Sequence, residues 1–189
     1  MSSDTTNTES TSLLQHYYRV VLSYSDFKHA LRCAERLLQF GDDYNPEMET
    51  LETALYCSMV VAYSRPFNSG GISNIGKVPR LTNEVLSYLT KEEKEIHNYI
   101  LLCRNKLIAH TDAQFLDLEP VIATDMPNNC VVPLKNDALA PFTESYTNDF
   151  AKLCEKLVTW VVEERATIEP KVLPLLRQSN WAEIHGISE

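Results

Sequence analysis

An arginine and a histidine six residues apart give this chain its clearest chemical pattern. They lie in Leu102-Cys103-Arg104-Asn105-Lys106-Leu107-Ile108-Ala109-His110-Thr111-Asp112. An ordinary imidazole, with a pKa near ~6.5, can hold or release a proton at neutral pH. A guanidinium stays charged, and its planar fork suits phosphate oxygens and the charge of a transition state built on them. Asn105 would orient a phosphate or the imidazole. Asp112 would orient His110 if the end of the helix lets it turn back. Lys106 reads first as a solvated neighbour and second as a phosphate contact. Further cations lie upstream. Arg65, Lys77 and Arg80 fall in a stretch with no acidic residue between Glu52 and Glu84, in a chain of net charge −9.

Six residues of ideal α-helix rise about 9 Å and turn by about −120°. Arg104 and His110 are therefore not stacked on one stripe. His110 continues the apolar stripe Ile96, Ile100, Cys103, Leu107, while Arg104 stands at its edge. If that stripe packs on its twin in a dimer, two arginines and two histidines face one cleft. A single protomer offers a poorer site.

Arg, a polar residue, four more residues and His near the end of a bundle helix resemble the HEPN superfamily. RNKLIAHTD is most similar to its abortive-infection branch. The likeness is specific only over the 102–112 segment; elsewhere it rests on helix number and order. It implies a dimeric helical bundle and a metal-independent endoribonuclease acting as a toxin or antiphage defence effector. The implied reaction is attack of a ribose 2′-OH on the neighbouring phosphorus, leaving a 2′,3′-cyclic phosphate. On that reading Arg104, Asn105 and His110 are catalytic. Lys106, Asp112, Arg65, Lys77 and Arg80 are candidates for substrate binding, the partners are RNA, a second copy and a cognate antitoxin, and no cofactor is needed. A silent HEPN-like dimer that binds nucleotide, RNA or a protein partner is the alternative. A plain helical interaction protein with accidental spacing is a third reading.

The elements that must position these residues read as an all-α, up-and-down bundle of about four main helices. Leu13, Tyr17, Val20, Tyr24, Phe27, Leu31, Ala34 and Leu38 keep one apolar stripe by steps of four and three. Gly41-Asp42-Asp43 ends that helix, and Ser23 or Ser25 with Asp26 could break it midway. Asn45-Pro46-Glu47 reads as the next helix start, with an apolar face of Met48, Leu51, Leu55, Met59 and Ala62. Arg65-Pro66 stops it. Residues 66–80 hold three of the five glycines and read as a loop, followed by a short helix over 84–89. Thr90-Lys91-Glu92-Glu93 reads as a capping box opening a third long helix that ends near His110. A small hairpin is expected at 119–134. Phe150, Leu153, Cys154, Leu157, Trp160 and Val161 define a fourth long helix, with a shorter piece from Pro170 to Leu176.

With 189 residues, 44% of them hydrophobic, the chain can bury one sizeable core. One domain over 12–189, behind a disordered tail at 1–11, is expected. The −9 charge argues against a general, sequence-blind nucleic-acid coat but leaves room for a small basic site. No run is long and apolar enough for a membrane span. The five cysteines form no CxxC pair, which suggests a reduced, cytoplasmic protein. No Cys or His pair is read as sharing a turn at ligand spacing, so no metal site is expected. His97 reads as an exposed or interface residue. Tyr17, Tyr24, Phe27 and Trp160 read as core, and Asp149, Glu155, Glu163 and Glu164 as a solvated helix face.

Overall fold

The computed structural model describes residues 3–41, 46–72, 76–81, 83–108, 119–124, 130–134 and 142–176. It is an all-α bundle with small antiparallel hairpins. In chain order the elements are α1 (Ser3–Leu38), α2 (Glu49–Ser64), β1 (Gly70–Ile72), β2 (Gly76–Val78), α3 (Asn83–Tyr88), α4 (Lys91–Cys103), β3 (Glu119–Ala123), β4 (Cys130–Leu134) and α5 (Glu144–Val172). The longest helices, α1 and α5, pack along each other, α2 packs on α1, and α4 packs on α2.

The stripe on α1 faces the core as its spacing requires: Val20, Phe27 and Ala34 are fully buried, with Tyr17, Tyr24, Leu31 and Leu38 packed at the margin. The helix runs unbroken through Ser23–Asp26. Ser23 is buried and returns its hydroxyl to Arg19 O at 2.7 Å, so it satisfies itself within the helix rather than capping a new one. Helical backbone begins at Ser3, so residues 3–11 extend α1 where a tail was expected. Extension of an existing helix gains a hydrogen bond per residue without a new nucleus, which offsets the modest propensity of Ser and Thr. Gly41 stands beyond the end with φ +73°, the left-handed conformation that glycine adopts most easily.

Helix α2 starts at Glu49, later than Asn45-Pro46 suggested, and Met48 provides no side-chain cap. Its buried face is wider than the expected one. Met59 and Ala62 of that face are buried and Leu55 packs against the core, Leu51 is 43% exposed, and Tyr56, Val60 and Tyr63 turn a second flank inward. Tyr63 anchors that flank. Its ring sits 5.8 Å from Phe27, 5.5 Å from Phe67 and 5.1 Å from Phe150, joining α1, α2 and α5. Aromatic pairs of this kind add to the burial of the neighbouring aliphatic stripe.

Two ends follow the sequence closely. Thr90 Oγ1 accepts from Glu93 N at 3.2 Å and Thr90 N donates to Glu93 Oε2 at 2.7 Å, completing the capping box of α4. On α5, Phe150, Leu153, Cys154, Leu157, Trp160 and Val161 are all buried. Pro170 lies inside α5 rather than at the head of a separate piece. Pro170 offers no N–H to the Ala166 carbonyl four residues back, and the α-helix ends two residues later at Val172. The hairpin at 119–134 is present as β3 against β4, with Val121 opposite Val132. No helix among the described residues is long and apolar enough to cross a membrane.

Candidate functional site

Helix α4 carries the Arg104 segment to the edge of the bundle. Ile100 and Cys103 are buried and fix its rotation, and the chain then widens into a π-helical turn over Arg104–Ile108, packed against α2. The Arg104 N–H still reaches Ile100 O and Leu101 O, so the change begins with the arginine itself. Through a π-turn each residue advances by less than the about 100° of an α-helix. Residues 105–108 therefore depart from ideal α-helical placement, and α4 itself ends at Cys103. Such turns recur at functional sites.

Arg104 is half-buried. Its Nη1 donates to Asn105 Oδ1 at 2.8 Å. Asn105 and Lys106 are exposed beside it. His110 and Asp112 lie outside the described residues. Cys103, directly before the arginine, is buried, and burial pushes its thiol pKa up, with Tyr56 and Tyr99 hydrogen bonds acting the other way. A raised thiol pKa suits a packed side chain, not a nucleophile.

The upstream cations stand on a built structure rather than a loop. Gly70 pairs with Val78, Gly71 with Lys77 and Ile72 with Gly76, and this hairpin is held by Arg19 of α1. Arg19 is 5% exposed. It donates to the carbonyls of Asn68 (2.8 Å), Val78 (3.4 Å), Pro79 and Arg65. Burial lowers its pKa, and nearby Asp26 raises it. Leu81 N donates to Pro66 O at 2.8 Å and closes the base. Lys77 and Arg80 are exposed on this hairpin and its exit, with Val78 buried between them. Arg65 is exposed too, and Nη1 reaches Asp26 Oδ1 at 3.3 Å, so part of its charge is already met.

His97 differs from expectation. It is buried between Phe67, at 4.4 Å between ring centroids, and Tyr63, whose Oη shares a 3.1 Å hydrogen bond with Nδ1. Desolvation lowers its pKa to about 4, so the ring is a neutral core group at physiological pH. Glu164 is likewise not merely solvated. It is half-buried and accepts from His16 Nε2 at 2.9 Å across α1 and α5. His29 and Cys33, four apart on α1, do share a turn at 3.6 Å, contrary to the reading from spacing. Arg19 and His16 carry no sequence signal, and Glu164 reads only as part of a solvated face. Their partners lie 46 to 148 residues away, beyond any local periodicity.

Compared with family models, curated proteins and solved structures, the chain matches none.

Proposed function

We propose that the chain is a HEPN-like, metal-independent endoribonuclease, a toxin or antiphage defence effector, working as a homodimer through Arg104, Asn105 and His110. The observation that carries this reading is the Arg104–Asn105 pair. An arginine fork, steadied by its neighbour at 2.8 Å, stands at the mouth of a π-turn on the bundle's edge. A fork held in one orientation loses less entropy when it takes up a phosphate. His110 follows at the spacing that resembles the family's motif. In the reaction a base takes the 2′-OH proton, the oxygen attacks phosphorus, and the 5′-oxygen leaves with a proton from an acid. His110 supplies proton transfer and Arg104 stabilises the charge on the phosphorane oxygens. Lys106, Lys77, Arg80, Arg65 and Asp112 are the candidates for holding the RNA. Binding by these cations offsets locally the repulsion of a −9 body.

That same net charge favours the second reading, a silent dimer that binds nucleotide, RNA or a protein partner, since a dimer doubles the charge a polyanion must approach. Expression in a bacterial host separates the two. Growth arrest by the wild type that disappears in His110→Ala, at equal protein level, supports the nuclease. Equal growth with both favours the silent dimer.

A further inference from the structure

A histidine and two carboxylates from three helices converge on one point: His16 on α1, Glu84 on α3 and Glu164 on α5. Their donor atoms all lie within 4.8 Å of one another. Tetrahedral ligands about 2.0–2.1 Å from a zinc ion stand roughly 3.4 Å apart, so small side-chain rotations close this set around an ion. The trio lines a groove of about 540 Å³ whose other walls include Pro79, Arg80 and Trp160.

Two features separate this group from ordinary surface acids. Asp149 and Glu169 pair with a lysine or arginine three or four residues away on their own helix. Glu164 instead faces an imidazole across the α1–α5 seam, with His16 and Glu164 only 28% and 26% exposed. Glu84 then completes the set from a third element, fixed by the burial of Val85 beside it.

We propose that His16, Glu84 and Glu164 bind one divalent transition-metal ion, zinc or manganese, whose open position faces the groove. Imidazole nitrogen with carboxylate oxygen suits both ions, and three protein ligands leave room for water or an anion. The ion takes the place of the Nε2 hydrogen that Glu164 now accepts. Arg80 on the same groove repels the ion, and the two carboxylates offset it. Arg80 also attracts an anionic group to the open position. The three ligands are not among the residues of the ribonuclease reading, although Arg80 borders both.

The test is calorimetric titration of the full chain, stripped of metal, with zinc chloride and with manganese chloride. The site predicts saturable binding of one ion per chain for at least one of the two. Binding weakens at least about tenfold in Glu84→Gln and in His16→Ala. It is unchanged in Glu163→Gln, an exposed neighbour on α5. Glu84 is exposed, so Glu84→Gln leaves the core alone, and circular dichroism verifies each fold. Because His29 and Cys33 also meet, Cys33→Ser is titrated in parallel. Binding lost in Cys33→Ser but kept in Glu84→Gln overturns the assignment. So does the absence of saturable binding by the folded wild type.

Discussion

Arg104 Nη1 lies 2.8 Å from Asn105 Oδ1, so the asparagine's carbonyl oxygen is engaged by the arginine next to it in sequence. On the ribonuclease reading Asn105 therefore positions the fork, and its NH₂ is the group expected to meet a phosphate oxygen. The two side chains act as a unit, and their substitutions are expected to differ in kind.

Arg104→Ala removes charge stabilisation and is expected to lower the rate of RNA cleavage by about 10²–10³-fold. Asn105→Ala only loosens the fork and is expected to cost about tenfold to a hundredfold. Arg104→Lys keeps the charge but not the planar fork, and falls between wild type and Arg104→Ala. Single-turnover cleavage rates at saturating enzyme check the ranking. Equal rates for wild type and Asn105→Ala would deny the positioning role.

The exposed Lys77 on β2 is expected to contribute to substrate binding and not to chemistry. Lys77→Ala should raise KM several-fold with kcat unchanged, and reduce the slope of log affinity against log salt by about 1. Filter binding over a salt series measures the slope. A fall in kcat at constant KM would contradict this assignment.

Arg19 ties the β1–β2 hairpin to α1, so its loss leaves several carbonyls facing a gap. Charge-assisted hydrogen bonds of this type contribute about 1.5–3 kcal/mol each, and they are not additive. Arg19→Met is expected to destabilise by about 3 kcal/mol, lowering Tm by roughly 6–12 °C for a domain this size. Amide exchange should accelerate at Val78 and Lys77 more than on α5. A variant with unchanged Tm would show that water satisfies those carbonyls as well.

His97 gives stability a defined pH dependence. Its pKa is lowered to about 4 in the folded protein by burial, against ~6.5 when unfolded. Between those values the unfolded chain binds the extra proton, so stability is full above about pH 6.5 and is lost progressively toward pH 4. The loss amounts to roughly 3 kcal/mol. His97→Gln, which cannot titrate, should flatten that part of the curve. Urea denaturation of both proteins at several pH values checks it, and parallel curves would refute the assignment.

Local signals were legible where one short segment contains the whole cause. The Thr90–Glu93 capping box, the α5 stripe and the 119–134 hairpin each rest on residues near one another in the chain. What could not be read depends on distant partners or on backbone departures. The hairpin at 70–78 hides in a glycine-rich run with little alternation, and it is held by Arg19, some 49 to 60 residues earlier. The Cys103–Leu107 step of four fits an α-helix, so the π-turn from Arg104 is invisible in spacing. The second inward flank of α2, Tyr56, Val60 and Tyr63, follows from where Tyr63 finds aromatic partners on α1 and α5. At the candidate site the sequence singles out Arg104 and Asn105 as neighbours, and the structure adds the bond between them. His110 and Asp112 lie beyond the described residues.

The most direct measurement is cleavage of mixed RNA with EDTA present, by wild type, Arg104→Ala and His110→Ala, with folding and dimerisation checked for each. The ribonuclease account predicts cleavage by the wild type, ends carrying 2′,3′-cyclic phosphate, and loss in both variants while the dimer persists. Cleavage that survives both substitutions, or a wild type as inert as the variants, would contradict it.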